Sequence, residues 1–438
     1  MQKVVGMYNC GPTVYNYAHL GNLRAYVFAD TLRRTLEYFG YKVKQIINVT
    51  DIGHLSSDAD SGEDKMTKAL IREGKPLTLK AMRDVANFYF KTFKEDLARL
   101  NILPAHKFPF ASDHIKEDIA LIERLAKKGL TYSTSDGVYF DTGRSHGYGK
   151  LGRLSPETGT EARIAHNAEK RHLRDFALWK FNDSLGYPAP FGKGFPGWHV
   201  ECSAMSMKYL GETFDIHTGG VDHIPVHHNN EIAQSESATG KEFARVWMHS
   251  AFLNISGEKM AKSEENFLRL HSLEENKIPA LAYRYFLLTG HYRTPLTYSE
   301  EGISAADTAL KNLYREFDRL PSKKGSVSEE YRNRFAKFIK DDINTPQALA
   351  LLWELVGDKD IHPTVKRATI LSFDKVFGFG LENRKKLKIP PSIATIARER
   401  NKARAKKDWA LSDKLREDMK KLGYAIEDTP GGETVYPI

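Results

Sequence analysis

Cysteine is scarce in this sequence: Cys10 and Cys202 are the only two among 438 residues. Two cysteines cannot build the disulfide framework of a small secreted scaffold. The sequence also lacks an uninterrupted apolar run long enough to span a membrane, and it does not begin with a charged-then-apolar signal segment. We therefore expect a cytoplasmic protein without a membrane partner.

Charge of one sign does not dominate either. Lys and Arg number 65 and Asp and Glu 56, which gives a net charge of +9 and a pI near 9.1. Such an excess suits a polyanionic partner, but over a chain of this length it is weak support by itself. A hydrophobic content of 41% is enough to bury a large core and to form more than one domain.

The first fifty residues have the pattern of a strand–helix–strand unit. Residues 4–8 form a short apolar stretch, and residues 41–49 alternate between apolar and polar side chains, as strands do. Between them lie apolar residues with helical spacing and a terminating glycine: Phe28, Leu32, Leu36, Phe39 and Gly40. This unit predicts a parallel sheet whose ligand site lies at the carboxyl ends of its strands. Cys10, His19 and Thr50 fall at those ends.

The middle of the chain departs from this rhythm. Residues 77–100 and 112–128 have amphipathic helical patterns, and a hairpin is predicted around Asp136 and Gly137. We interpret this stretch as an insertion, after which the β/α rhythm resumes with the segment DFALWK, beginning at Asp175.

The last third of the chain has a helical pattern. Residues 299–379 are interrupted by one polar linker, and Asn344 or Thr345 is a good cap for a helix that follows. Residues 390 and 391 are both proline and mark a boundary before a basic helix and a short hairpin. An apolar stripe is predicted to dock this basic helix on the preceding bundle: Leu411, Leu415, Met419 and Leu422.

Both cysteines fall near residues that can bind a metal ion. Cys202 lies in a predicted helix, and His227 and Glu231 share one face of another because they are four residues apart. With Cys10, these residues offer thiolate, imidazole and carboxylate ligands of the kind that zinc prefers. A lone buried cysteine is more often a small hydrophobe, so the convergence of both cysteines carries the interpretation. His228 is an alternative ligand, although regular helical geometry turns it about 100° away from His227.

Two segments suit the phosphates of a nucleotide. The tetrapeptide HLGN (residues 19–22) opens a helix, where backbone N–H groups and the helix dipole favour phosphate, and Gly21 allows close approach. Lys259 and Lys262 lie in a glycine-led loop that can neutralise charge as diphosphate leaves. Taken singly, a histidine near a helix start is more often a cap, and a basic loop is usually a solvated surface.

A third segment, HTGGVD, suits a ribose. Gly220 permits close approach of the sugar, and Asp222 can accept hydrogen bonds from its hydroxyls, as acidic residues do in other nucleotide sites.

Together, these segments resemble the class I aminoacyl-tRNA synthetases, and specifically the cysteinyl-tRNA synthetases. HLGN resembles their HIGH signature, and KMAKS (residues 259–263) resembles KMSKS. The order of the two motifs, with Cys10, GWHVECSAM, GGVD and HHNNEIAQS, carries the resemblance, which covers nearly the whole chain. Two departures are visible: Asn22 replaces the last histidine of HIGH, and Ala261 replaces a serine.

The resemblance implies cysteine–tRNA ligase activity. ATP would activate L-cysteine to cysteinyl-adenylate, and cysteine would pass to the 3′-terminal adenosine of tRNA(Cys). One zinc ion per chain would be held by Cys10, Cys202, His227 and Glu231 and would select the substrate thiolate, because a thiolate is a softer and more acidic ligand than an alcohol. Mg²⁺ would accompany ATP, and a monomer is expected.

The resemblance also implies a role for each site residue. Catalytic roles would fall to His19, Asn22, Lys259 and Lys262. Substrate and ATP would be bound by the following residues: Gly11, Thr13, Gly21, Thr50, Trp198, Gly220, Asp222 and Lys262. Of these, Trp198 and Thr50 would line the amino-acid pocket.

The implied fold is α/β. It comprises a split Rossmann-type parallel-sheet catalytic domain with an inserted connective peptide, then an all-α anticodon-binding bundle, then a small C-terminal basic helix and hairpin. The resemblance implies that residues 1–100 and 176–245 form the two catalytic halves, the second of which contains the zinc site. Residues 101–175 would be the connective peptide, and residues 246–298 a stem-contact region with the KMSKS-like loop. Residues 299–385 would form the anticodon-binding domain, and residues 386–438 the C-terminal segment.

Two other functions fit part of this pattern. A cysteine ligase with an amino-sugar acceptor resembles the family through its catalytic half, but it lacks an extended anticodon-binding region, so residues 299–379 and the basic tail favour tRNA. A catalytically inactive paralogue that regulates by binding RNA would not need the lysines and zinc-ligand positions, which are intact here.

Overall fold

A four-stranded parallel sheet forms the centre of the computed structural model, which describes residues 4–53, 65–145, 147–153, 169–255, 268–384, 389–429 and 432–437. The strands are β1 (Val4–Asn9), β2 (Lys42–Ile47), β7 (Phe214–Gly220) and β8 (Ala244–Ser250). Their order in the sheet is β2-β1-β7-β8.

Helix α1 (Leu20–Tyr38) connects β1 to β2, as the strand–helix–strand pattern predicts. Phe28 and Leu32, which the spacing placed on its apolar face, are buried. Gly40 follows the helix with φ of +84°, a left-handed conformation that glycine adopts without steric cost. The predicted end of this helix is therefore confirmed.

The strand order reverses between β1 and β7, since β1 leads to β2 on one side and β7 leads to β8 on the other. Ligands of such sheets bind in the crevice at the carboxyl ends of the strands beside this point. Cys10 directly follows β1, and its N–H donates to the carbonyl of Thr218 in β7 over 3.1 Å. The crevice therefore begins at Cys10.

Between β2 and β7, the chain forms helices and a second sheet. The helices are α2 (Lys65–Arg72), α3 (Leu79–Arg99), α4 (Ile115–Lys127) and α5 (Trp198–Leu210). The second sheet is antiparallel and contains β3 (Thr131–Thr134), β4 (Gly137–Phe140), β5 (Phe176–Phe181) and β6 (Gly194–Pro196). The predicted helices within residues 77–100 and 112–128 and the predicted hairpin are present.

The prediction that the β/α rhythm resumes at DFALWK is wrong. Strand β5, which begins within this segment, pairs antiparallel with β4 and extends the inserted sheet. Its first four residues are all buried, so it presents a continuous apolar run that does not tell a parallel strand from a central antiparallel one. The rhythm resumes with α5 and β7.

The second crossover and the region after it complete the crevice. A π-helical turn (Ile224–His228) and α6 (Asn229–Thr239) lie between β7 and β8. After β8 come β9 (Leu253–Ile255), α7 (Leu270–Glu275), α8 (Ala280–Leu288) and β10 (Leu296–Tyr298). Strands β9 and β10 pair in parallel.

A helical region follows, made of α9 (Glu300–Arg319), α10 (Glu329–Lys340), α11 (Thr345–Gly357) and α12 (Pro363–Phe377). Of the two predicted caps of α11, Asn344 is the N-cap, and its side chain accepts a hydrogen bond from the N–H of Gln347. One continuous apolar core joins the parallel sheet, α3, α8 and the four helices α9 to α12.

The C-terminal unit contains α13 (Pro391–Ala405), α14 (Trp409–Lys421) and a hairpin of β11 (Tyr424–Thr429) and β12 (Gly432–Pro437). The single predicted basic helix is thus two helices, separated where Lys407 has φ of +59°. The predicted docking stripe is wrong, because Met419 is buried but Leu411 and Leu422 are exposed. Met419 instead joins a small separate core with Ile393, Ala397 and Ile426.

The predicted fold class is confirmed as a parallel α/β domain with an insertion, followed by helices. Across the described ranges, none of the helices has the length and apolar character that crossing a membrane requires.

Candidate active site

Four side chains meet at the crevice in an arrangement suited to a metal ion. Cys10 follows β1, Cys202 lies in α5, His227 lies in the π-helical turn and Glu231 lies in the first turn of α6. Each offers one ligand atom, and these four atoms all lie within 4.8 Å of one another. The structure therefore brings together the four residues that the sequence predicts as metal ligands.

His228 also faces this cluster. Its Nε2 lies 3.2 Å from Sγ of Cys10, and a second group of four overlaps the first: Cys10, His217, His228 and Glu231. The expectation that His228 turns away is wrong, because His228 lies three residues before Glu231 and side chains at this spacing share a helical face. The chain is π-helical at this point, which changes the angle between successive side chains.

Two buried atoms of the first group fit a cation. Nε2 of His227 and Oε1 of Glu231 lie 3.1 Å apart, yet neither makes a hydrogen bond within the described part of the chain. Their remaining atoms are oriented by neighbours. His227 Nδ1 lies 2.9 Å from Nδ1 of His199, and Glu231 Oε2 lies 3.0 Å from Nε2 of His217. Outer contacts of this kind are typical of metal ligands.

The charges of the cluster also favour a cation. A hydrogen bond with Cys10 lowers the pKa of the Cys202 thiol to about 6 despite its burial. Burial raises the pKa of Cys10 well above its usual value, and the contact with Cys202 adds to this effect. Burial would raise the pKa of Glu231, but His217 and His227 outweigh it and lower that pKa to about 2. Burial lowers the pKa of His227, but Glu231 and Cys202 outweigh burial and raise that pKa to about 10. At neutral pH, a thiolate and a carboxylate thus share one small space with the imidazolium of His227, whose proton a metal cation would displace.

The HLGN residues form the N-terminal cap of α1. The N–H of Asn22 donates to Nδ1 of His19, and the N–H of His19 donates to Oδ1 of Asn22, both over 3.2 Å. Burial lowers the pKa of His19, and the negative charge of Asp222 opposes this shift. Asp222 therefore acts on the same end of α1, where the helix dipole favours phosphate.

Two glycines lie where a Cβ would meet a neighbouring atom at short distance. A Cβ on Gly11 would lie 1.5 Å from the carbonyl oxygen of Asn48, and one on Gly220 would lie 2.2 Å from Oδ1 of Asp222. The N–H of Gly11 also donates to Oδ1 of Asn48 over 2.7 Å. The contact at Gly11 is with backbone and requires glycine there, whereas the contact at Gly220 is with the end of a side chain, which can rotate away.

Other predicted residues lie around the same crevice. Thr13 and Thr50 face each other across a parallel bridge between the ends of β1 and β2. The ring of Trp198 stacks on the ring of His227 with centroids 4.0 Å apart, so Trp198 adjoins the metal cluster. Lys259 and Lys262 fall within residues 256–267, outside the described residues.

The sequence interpretation missed His199 and His217, which contact His227 and Glu231. Two signals were available. His199 precedes Cys202 by three residues and so shares its helical face, and His217 lies near the carboxyl end of a parallel strand.

Comparison with known proteins assigns the family. The family model "tRNA synthetases class I (C) catalytic domain" matches residues 1–308. "Cysteine--tRNA ligase 1" of Burkholderia lata is 46% identical over 99% of this chain and 92% of its own length. The chain belongs to the cysteine–tRNA ligase family.

Other comparisons agree with the assignment of this chain to the cysteine–tRNA ligase family. "Cysteine--tRNA ligase" of Treponema denticola is 40% identical over 98% of this chain and 94% of its own length. The model "Cysteinyl-tRNA ligase anticodon binding domain" matches residues 388–435, which are the C-terminal unit rather than the helical region before it. A methionyl-tRNA synthetase structure from Mycobacterium tuberculosis has a TM-score of 0.58 at 17% identity, covering 86% of this chain and 90% of that one, and shows the shared fold.

Proposed function

We propose that this chain activates L-cysteine with ATP and transfers it to the 3′-terminal adenosine of tRNA(Cys). The observation that carries the proposal is the meeting of Cys10, Cys202, His227 and Glu231 beside the start of α1. A cluster that can recognise sulfur and a helix end that can bind phosphate then lie at one crevice, as cysteinyl-adenylate formation requires.

The proposed metal is one zinc ion per chain, with Cys10, Cys202, His227 and Glu231 as ligands. Two thiolates, an imidazole and a carboxylate form a donor set that suits zinc. Cysteine and serine differ by one atom, and a pocket that reads shape alone rejects such near-isosteres by only about a hundredfold. When bound, zinc supplies a soft Lewis-acid position that a thiolate enters in preference to an alcohol. Trp198, stacked on His227, would close the pocket beside it.

The nucleotide would lie between α1 and the end of β7. The cap formed by His19 and Asn22 would bind phosphate, with Gly21 allowing close approach, and Gly220 and Asp222 would hold the ribose. Gly11, Thr13 and Thr50 would shape the opposite wall. The substrate carboxylate attacks the α-phosphorus, and diphosphate leaves with its magnesium, so the chain supplies position and charge rather than a nucleophile.

Lys259 and Lys262 are proposed to neutralise charge on the departing diphosphate. Removal of one such electrostatic contact typically slows a reaction by on the order of a hundredfold. Lys262→Ala should therefore slow adenylate formation while leaving the affinity for cysteine unchanged.

The C-terminal unit would bind tRNA. Between residues 391 and 421, ten Lys or Arg stand against five Asp or Glu. Lys402 and Lys406 are exposed, and Trp409 is 55% exposed with the Arg404 guanidinium 5.6 Å from its ring centroid. Exposed aromatic rings beside basic side chains suit unpaired bases of RNA. This unit also disfavours the amino-sugar ligase, which has no use for such a surface.

The proposal is tested by offering the protein cysteine, ATP and alternative acceptors. Attachment of radiolabelled cysteine to tRNA(Cys), with none to a glucosaminyl-inositol acceptor, supports it. Attachment to the amino sugar alone would contradict it, and RNA binding without cysteine-dependent ATP–diphosphate exchange would favour the inactive RNA-binding paralogue. We also propose the domain divisions implied by the sequence, with two changes: strand pairing would extend the connective peptide to Pro196, and the anticodon-binding assignment would include the C-terminal unit.

A further inference from the structure

Helix α1 holds the chain on both sides of the lysine segment (residues 256–267). On one side, the guanidinium of Arg24 donates to the carbonyl of Phe252, directly before β9. On the other side, the N–H of Leu20 donates to the carbonyl of Leu268 over 2.9 Å. Leu20 and Arg24 lie in the first turns of α1. This helix therefore connects the HLGN cap with the residues on both sides of the lysine segment.

Arg24 also forms hydrogen bonds with a second segment of the chain. Its Nη2 donates to the carbonyl of Thr294 over 2.6 Å and approaches the carbonyls of His291 and Tyr292 at 3.4 Å. These residues form the loop between α8 and β10. Arg24 is only 3% exposed, so its planar, multiply donating head joins α1, the approach to β9 and this loop without water between them.

Tyr292 connects that loop to the helical region. Its ring stacks on Phe28 of α1 with centroids 4.2 Å apart and 13° between the planes. Its hydroxyl donates to Oδ1 of Asp342 over 2.6 Å, and Nε2 of His291 lies 2.9 Å from the carbonyl of Asp342. Asp342 also forms an ion pair with Arg293. Asp342 is thus held from the loop side by three consecutive residues.

Asp342 lies in a strained turn between α10 and α11. Asp342 and Ile343 have φ values of +52° and +56°, and a left-handed conformation is a true outlier for a β-branched residue such as isoleucine. Such strain persists only where surrounding contacts determine it. Ile343 is 5% exposed and packs in a cluster with Met7 and Phe28. The strained turn is therefore held by α1 and β1 as well as by the loop between α8 and β10.

The helical region in turn contacts the C-terminal unit. Glu427 of β11 forms ion pairs with Arg319 (2.9 Å) and Arg315 (3.9 Å) of α9, and the Arg315 guanidinium lies 4.6 Å from the ring centroid of Tyr436. A continuous set of contacts thus leads from the unit matched as anticodon-binding, through the bundle, to α1.

We propose that Tyr292 and Asp342 are positioning residues for charging of tRNA. Through Arg24, they hold α1 and the flanks of the lysine segment in the arrangement needed when tRNA occupies the helical and C-terminal regions. Neither residue is among those proposed to bind substrate. The inference rests on the proposed function, and it adds that tRNA binding and the active site are coupled at this joint.

The test measures two reactions in the full-length protein: cysteine-dependent ATP–diphosphate exchange and charging of tRNA. Tyr292→Phe removes one hydrogen bond to a carboxylate, so kcat for charging should fall about tenfold. KM for tRNA and the exchange rate should stay within about twofold. Arg24→Lys, which loses the multiple donors nearer the site, should reduce exchange and charging together.

A double-variant cycle separates positioning from general destabilisation. Asp342→Gly removes the carboxylate while easing the left-handed backbone. If both residues act through one bond, Tyr292→Phe with Asp342→Gly should reduce charging no further than the worse single variant. Tyr314→Phe is the matched control, because it removes a hydroxyl that donates to the carbonyl of Phe379 within the same bundle. It should lower Tm comparably and leave both reactions unchanged.

Three results would overturn the inference. They are equal loss of exchange and charging in Tyr292→Phe, a change confined to KM for tRNA, or no change in either reaction. The wild-type protein tests the proposed function separately. If the wild type shows no cysteine-dependent exchange, both the proposed function and this inference are contradicted.

Discussion

Cys202 is the residue whose replacement best separates a metal site from a merely buried cluster. Its thiol has a pKa lowered to about 6 and lies among three other potential ligand atoms. Cys202→Ala should therefore lower the metal content from one ion per chain to nearly none, as measured by elemental analysis. Affinity for cysteine should fall far more than affinity for ATP, and unchanged metal content would show that the thiol is only a small hydrophobe.

His228 provides the matched comparison at the same scale. Cys10 and Glu231 belong to both groups of four, so variants at those positions do not tell the groups apart. His228→Asn should keep the metal if Cys202 and His227 complete the site. Loss of metal in His228→Asn with retention in His227→Asn would assign the other group.

The buried carboxyl of Asp118 should make the stability of the protein depend on pH. This carboxyl in α4 is fully buried, and its two oxygens have no hydrogen-bond partner in the described portion of the chain. Burial raises its pKa well above the ordinary value, and the charges of Glu117 and Cys202 add to the shift. The folded state therefore binds the proton more tightly than the unfolded state, whose carboxyl pKa is about 3.9. The resulting stability is present below that pH and is lost as the pH rises towards the folded pKa.

Asp118→Asn removes this titration. The free energy of unfolding of the variant, relative to wild type, should rise with pH above about 4 by up to about 1.4 kcal/mol per pH unit. Glu117→Gln is the contrasting variant: burial is the largest single influence and raises the pKa of Glu117, but the hydrogen bonds that Glu117 accepts and the charge of Lys208 together outweigh burial and lower that pKa. Its stability difference should fall as the pH rises towards about 4.3 and stay constant above that pH, because the pKa of Glu117 is lowered on folding. A pH-independent difference for Asp118→Asn, measured by denaturation from about pH 4 to 8, would contradict the account.

At the scale of elements, the start of α1 combines a structural cap with a proposed phosphate site, and these roles can be separated. Asn22→Asp keeps the oxygen that accepts from the N–H of His19 and places negative charge where the helix dipole favours it. Stability should be unchanged or higher, whereas KM for ATP should rise because the new charge repels phosphate. Thr78→Asp at the cap of α3 is the control and should leave KM for ATP unchanged. An unchanged KM for ATP in Asn22→Asp would show that phosphate does not bind at this end of the helix.

The elements also show what sequence patterns can and cannot determine. Helix α1, its terminating glycine and strand β2 followed from spacing alone, because local periodicity and burial agree there. The pairing of β5 did not, since an apolar strand fits either sheet and its partner lies far away along the chain. The sequence singled out four residues that the structure brings together, but it missed that His228 faces the same cluster, although His228 lies three residues before Glu231.

At the scale of the whole molecule, the C-terminal unit has its own small core and should be dispensable for chemistry. Deletion from Pro391 onward should leave cysteine-dependent exchange largely intact and sharply raise the KM for tRNA in charging. Lys406→Gln should flatten the salt dependence of tRNA binding by roughly one unit of log–log slope, because its ammonium would neutralise one phosphate. Lys91→Gln, an exposed lysine of α3, serves as the control. Unchanged charging and salt dependence after the deletion would show that the C-terminal unit does not bind tRNA.

The proposed metal site would allow this molecule to distinguish the sulfur of cysteine from the oxygen of serine. The most direct measurement is ATP–diphosphate exchange by the purified protein with cysteine and, separately, with serine. If the metal site selects the thiolate, kcat/KM for exchange with cysteine should exceed that for serine by far more than the roughly hundredfold that shape alone provides. Absence of exchange with cysteine, or a ratio of about a hundredfold or less, would contradict it.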